Sequence, residues 1–215
     1  MRKVAAALAA LVFVSTASTA AAQHSGAPTG APKKQCLTDA ERAVIAQLKA
    51  MNRPTRSDDP VPLFDPEYFV GTWDMEYDAP ETPLAPEGMH AGTLTFRHVD
   101  GCYYEGELKA KDPKGAVYST RIQMMYDTAG RYLTWIETDS RGYTLFKPGT
   151  IGADSGGYFT HYFETQGFKP SKAGPELHVK GSTFVASPTN FRIRRSLSVG
   201  GDPYMNIGEM WFRKR

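Results

Sequence analysis

The stretch Tyr68–Asp78, Tyr-Phe-Val-Gly-Thr-Trp-Asp-Met-Glu-Tyr-Asp, constrains the fold most. From Phe69 on, Phe69, Gly71, Trp73, Met75 and Tyr77 alternate with Thr72, Asp74, Glu76 and Asp78. A period of two over this length describes a strand with one buried and one wet face. Gly71 shares a face with Trp73, and a glycine there removes a side chain where a bulky neighbour must close over the backbone.

The same text continues to the end of the chain. Runs expected as strands are Met89–Val99, Cys102–Ala110, Val117–Tyr126, Arg131–Thr138, Tyr143–Phe146, Tyr158–Thr165, Leu177–Val185, Phe191–Val199 and Tyr204–Arg213. Turn signals separate them, among them Asp100-Gly101, Thr128-Ala129-Gly130 and Gly200-Gly201-Asp202-Pro203. Short strands at regular spacing, with no helical period after Met51, argue for an all-β antiparallel barrel or sandwich.

Ahead of the strands lie three other segments. Residues 1–22 read as a signal peptide: Arg2-Lys3, an apolar run from Val4 to Val14, then small residues up to Ala22. The apolar run is shorter than the roughly 20 residues of a spanning helix, so export without a membrane span is expected, into the periplasm or beyond. Removing the leader takes two of the 25 basic residues and none of the 23 acidic ones. The balanced remainder has no overall field to gather nucleic acid. Residues 23–35 are a Gly- and Pro-rich tether. Residues 36–66 hold an amphipathic helix and a Pro-rich connector. Thr38 and Glu41 have capping-box spacing, and Leu37, Val44, Leu48 and Met51 are expected on its apolar face. Residues 67–215 form the barrel, expected as a monomer.

The barrel text resembles the lipocalin-like (calycin) group, in particular its exported bacterial branch of unassigned function. The residues that carry the resemblance are Gly71-Thr72-Trp73, Tyr132-Leu133-Thr134-Trp135-Ile136 and Trp211-Phe212-Arg213. It covers roughly Glu67 to Arg215 and implies an up-and-down barrel of about nine or ten strands. It also implies that Trp73 plugs one end, with Arg213 packed across its ring. In that group the helix lies near the carboxyl end, whereas here it precedes the barrel.

Two cysteines in an exported chain point to a disulfide, Cys36–Cys102, which staples the helix to a hairpin. Ser155, in Asp154-Ser155-Gly156-Gly157, echoes a protease nucleophile loop, but one barrel cannot supply that fold, and the loop reads as a turn. His90, His98, His161 and His178 are scattered without metal-ligand spacing. His161, between Phe159 and Phe163, reads as a core histidine, and no cofactor or metal is expected.

Candidate ligand-binding residues are the strand aromatics Tyr77, Tyr104, Tyr118, Trp135 and Tyr162, which suit a cavity gripping an apolar body. Arg195 joins them because alternation puts it on the face of Phe191, Ile193 and Leu197. It needs an anionic partner there, either Glu209 or a ligand headgroup. The chain therefore reads as an exported barrel binding a small apolar or amphipathic molecule. An enzyme working in the same cavity and a filled-core structural or interaction module are the alternatives.

Overall fold

The computed structural model describes residues 33–50, 63–153 and 159–215, which all belong to one unit spanning Lys33–Arg215. The expected signal peptide, most of the tether, the connector prolines from Pro54 to Pro62 and the Ser155 loop lie outside the described residues. Ten strands follow one helix and one 3-10 turn: α1 (Asp39–Ala50), η1 (Pro66–Phe69), β1 (Gly71–Ala79), β2 (Gly88–Asp100), β3 (Tyr103–Lys111), β4 (Val117–Asp127), β5 (Tyr132–Asp139), β6 (Tyr143–Ala153), β7 (Phe159–Glu164), β8 (Leu177–Ser187), β9 (Asn190–Val199) and β10 (Met205–Lys214). Each strand pairs antiparallel with the next, and β1 pairs with β10, so the sheet closes on itself as an up-and-down barrel. Closure leaves no sheet edge unpaired.

The alternation of β1 is realised residue by residue. Trp73, Met75, Tyr77 and Ala79 are buried, while Asp74, Glu76 and Asp78 face solvent. Gly71 is needed for a different reason than expected. A Cβ there would make only ordinary contact, 3.4 Å from Lys214 Cε, but its φ is +122°, a conformation that favours glycine. The glycine allows the chain to swing from η1 into the wall.

Strand β6 runs seven residues past the expected Phe146, because Pro148 and Gly149 look like turn punctuation but here sit inside the strand. Gly149 fits where any Cβ would strike the Tyr162 carbonyl at 1.6 Å.

The capping box forms as the sequence predicts. The Thr38 amide donates to Glu41 Oε2 at 2.7 Å, and the Glu41 amide donates to Thr38 Oγ1 at 3.2 Å. Of the expected apolar face, Leu37 is buried, but Ile45 takes the inward place of Val44, which is 54% exposed, and the side chains of Leu48 and Met51 lie outside the described residues. The Cys36–Cys102 disulfide is present. Arg42 Nε donates to Asp65 Oδ2 at 3.2 Å, and the Gly101 amide to the Lys34 carbonyl at 2.8 Å. Together these pin α1 to the end of the barrel where η1 enters. Among the described residues no helix is long and apolar enough to cross a membrane.

Candidate functional site

The two ends of the barrel interior are built differently. At the η1 end the filling is aromatic. Trp73 is fully buried, opposite Leu94 on one side and Lys214 on the other. Its ring lies 4.9 Å from Phe191 and 5.2 Å from Tyr68, centroid to centroid, and its indole N–H donates to the Phe69 carbonyl at 2.8 Å. The cation over the indole is Lys214, at 5.1 Å, and not Arg213, which is exposed. The cause is a register shift between Asn206 and Glu209, where Gly208 has φ +87°. Ile207 points inward before it, and Phe212 and Lys214 after it, so the inward parity changes from odd to even. Tyr104 also belongs to this end. It stacks on His98 at 4.8 Å and donates to Glu67 Oε1 at 3.2 Å, so it is plug rather than cavity wall.

The opposite end carries a cavity of about 40 Å³, lined by Tyr77, Tyr118, Trp135, Glu137, Asp139, Arg141, Tyr143 and Arg195 over an apolar floor that includes Leu94 and Ile193. Four expected site residues, Tyr77, Tyr118, Trp135 and Arg195, meet here. Tyr162 does not. It lies on the outer wall, 51% exposed, because inward Phe159, His161 and Phe163 take the other parity of β7.

A charged ring surrounds the cavity. Asp139 accepts from the Arg141 amide (2.9 Å), from Arg141 Nε (2.8 Å) and Nη2 (2.7 Å), and from Thr120 Oγ1 (2.9 Å). Burial works to raise its pKa, but the hydrogen bonds and charge of Arg141 outweigh that and hold the carboxyl below its ordinary value. Arg141 lies 4.1 Å from the centre of the Tyr118 ring, and its Nη1 donates to the Leu84 carbonyl at 2.7 Å. That last bond latches the β1–β2 loop, with buried Leu84 and Ala85, across this end. Burial raises the Tyr118 phenol, whose hydroxyl sits 3.2 Å from His90 Nδ1.

Deeper in, Lys147 is 1% exposed and ion-paired with Glu137, 5.3 Å from the Trp135 ring centre and 4.9 Å from that of Phe163. His161 is completely buried beside it, and neither ring nitrogen makes a hydrogen bond of good geometry. Burial first, then the Lys147 charge, push its pKa down to about 3, with the Leu133 carbonyl working weakly the other way. At neutral pH the ring is uncharged.

Arg195 decides what the cavity can do. Its expected structural partner, Glu209, is on the outer wall, bound to Arg192 at 2.9 Å and to Arg194 at 2.6 Å. Among the described residues no carboxylate lies within ion-pair reach of Arg195. Its Nε is buried without a hydrogen bond, and its guanidinium is 4.9 Å from the Tyr77 ring centre. Arg141 is matched by Asp139 and Lys147 by Glu137, so Arg195 is the cation left over. The Trp135 indole N–H is likewise buried and unpaired.

The sequence reading missed Glu137, Asp139, Arg141, Tyr143 and Lys147. Asp139-Ser140-Arg141-Gly142 reads as a turn, and Lys147 lies past the expected end of its strand. Continuing the inward parity of Leu145 by two would have found Lys147.

A second hollow, of about 230 Å³, opens on the outer wall between Asp74, Glu76, Asn190, Trp211 and Arg213. Asp74 there is already bound to Arg215, at 2.6 Å. No three His, Cys, Asp or Glu side chains come together as metal ligands among the described residues.

No family model matches the chain, and no curated protein matches it. Among solved structures it is similar to Rv2717c from M. tuberculosis at 13% identity, with a TM-score of 0.57 over 69% of this chain and 93% of that one. That likeness shows the barrel fold alone. A de novo designed fluorescence-activating β-barrel also aligns, at 15% identity over 69% of this chain and 95% of that one. Its TM-score of 0.39 is too low to carry an argument.

Proposed function

We propose that this chain is an exported binding protein that holds one small amphipathic anion at the polar end of its barrel. The observation that carries the reading is Arg195, an inward cation beside a cavity with no carboxylate partner among the described residues. An anionic group there would supply the charge and the hydrogen bonds that Arg195 lacks. Tyr77, Tyr118 and Trp135 would hold the body of the ligand. The disulfide and the basic-then-apolar start of the chain support export. The Gly71-Thr72-Trp73 strand, with a basic residue across the indole, supports kinship with lipocalin-like binders.

Cavity size narrows the ligand further. About 40 Å³ holds about three waters, well below the roughly 300 Å³ at which drug-sized pockets begin. A ligand of a few non-hydrogen atoms fits the closed barrel. A fatty-acid chain would have to lift the β1–β2 loop from its Arg141 latch.

The test is a titration of short carboxylates against alcohols of matching length, followed by tryptophan fluorescence. Propionate should give a saturable change that propanol does not, and Arg195→Met should abolish the difference. No saturable change with any carboxylate would leave the filled-core module as the better reading.

A further inference from the structure

We infer that the hollow on the outer wall is a second binding site, for a neutral sugar ring, separate from the cavity inside the barrel. It measures about 230 Å³ against about 40 Å³ inside, and outward side chains of β1, β10 and β9 wall it. Two rows across the strands build it. Asp74, Arg213 and Asn190 stand opposite one another in the first, and Glu76, Trp211 and Arg192 in the second. Neighbours within a row are about 5 Å apart and the rows about 7 Å apart. That block has the footprint of one six-membered ring with its substituents. Trp211 is the telling residue. Had the inward parity of Ile207 continued, Glu209, Trp211 and Arg213 would all face the interior, but the shift at Gly208 turns them out. Trp211 is therefore 45% exposed, while the other two tryptophans of the chain are buried. Arg192, held by Glu209 at 2.9 Å, braces the indole at 5.4 Å from the ring centre and does not line the hollow.

Charge decides the class of ligand. Glu76 stands directly opposite Trp211, and Arg213 is two residues along the same strand, on the same face. Neither has a side-chain hydrogen bond or ion pair among the described residues. Exposed charges are ordinarily left to water; here two of opposite sign flank an exposed indole in a concave wall. An anion would meet the Glu76 carboxylate, and a cation would meet Arg213. A neutral ligand with adjacent hydroxyls satisfies both, donating to the carboxylate and accepting from the guanidinium. A pyranose adds an apolar C–H face that can lie against the negative π face of the indole. A few polar groups around an aromatic platform are the usual make-up of a small-molecule site. The first row supplies a fixed side wall. Arg215 Nε donates to Asp74 Oδ1 at 2.8 Å, and Arg215 Nη2 donates to Thr93 Oγ1 at 3.0 Å.

The experiment uses the full chain labelled with nitrogen-15, whose three tryptophans give three indole N–H signals. The probes are the methyl glycosides of glucose, galactose and mannose. At least one should shift the Trp211 signal saturably, with half-saturation in the millimolar range, and leave Trp73 and Trp135 unmoved. Saturation transfer to the protons of that sugar gives a readout that survives loss of the indole. Trp211→Leu, a change at an exposed position, should weaken binding at least about ten-fold. Glu76→Gln, which keeps the indole, should weaken it several-fold. An equal shift with the acyclic polyol sorbitol would show that no ring is recognised and overturns the inference. A Trp211 shift with tetramethylammonium or propionate but with no glycoside would make the hollow an ion site and overturns it too. So does the absence of a saturable shift with all three glycosides up to about 100 mM. Propionate acting on the interior site should move Trp135 and not Trp211, so either site can fail without the other.

Discussion

Two tryptophans, both fully buried on the inner wall, show how differently the two ends of this barrel are finished. Trp73 has its N–H bonded to Phe69, its ring packed by Phe191 and Tyr68, and Lys214 over its face. Trp135 is also packed, edge-on to Phe69 at 5.5 Å and Phe96 at 5.3 Å, but it has an unbonded N–H, a neighbouring buried lysine and a place in the cavity wall. A buried polar group left unmade costs more than a made one contributes. Beside the cavity the Trp135 N–H and the Arg195 Nε are buried without a partner, and so are the His161 ring deeper in the barrel and Arg131 Nη1 at the plugged end.

The largest test of this contrast is the staple at the plugged end. Cys36→Ser with Cys102→Ser opens a loop of 66 residues. It should cost about 4 kcal/mol of unfolding free energy by chain-entropy reasoning, read by denaturant titration under oxidising conditions. A loss under about 1 kcal/mol would mean that the salt bridge of Arg42 and the packing of Leu37 hold the helix unaided.

The next effect belongs to the deeper interior and to pH. Free histidine takes a proton near pH 6.5, but His161 folded resists it down to about 3. The unfolded state thus binds the extra proton, and stability falls as pH drops below 6.5, at up to about 1.4 kcal/mol per pH unit. Between pH 7.5 and 5 the wild type should lose about 2 kcal/mol more than His161→Leu. Parallel stability curves for the two proteins would show that the ring is not held neutral.

The smallest effect is the most direct comparison. Trp73→Phe leaves the Phe69 carbonyl without its donor and should cost at least about 1 kcal/mol beyond its packing loss. Trp135→Phe removes a donor that was never paired, so it should cost its packing loss alone. If the two substitutions cost the same, the distinction between the ends disappears.

The wall of the barrel was legible because its signal is repeated. Every strand alternates, and a misjudged end such as Phe146 does not alter the count. The plug was legible as Trp73, but its cation was not. Arg213 and Lys214 are neighbours, and only the bulge at Gly208 decides which of them faces in. The cavity was half legible. Tyr77, Tyr118, Trp135 and Arg195 follow from parity, but the side chains that give it chemistry come from elsewhere. Asp139 and Arg141 flank a tight turn, and Lys147 lies in a strand interrupted by proline and glycine. Tyr104 and Tyr162 were selected by residue type, and one turns out to be plug and the other outer wall. Residue type alone does not say which end or which face a side chain occupies.

The seam between β1 and β10 sets the timetable of folding. Trp73 pairs with Lys214 on the tenth strand, so the first strand waits for the last of the barrel before its tryptophan is enclosed. Contacts this distant along the chain make folding slow. Until the final strand is available, β1 and β2 remain an open ribbon with an exposed apolar face. A chain of this design cannot close its wall until the last strand has been made.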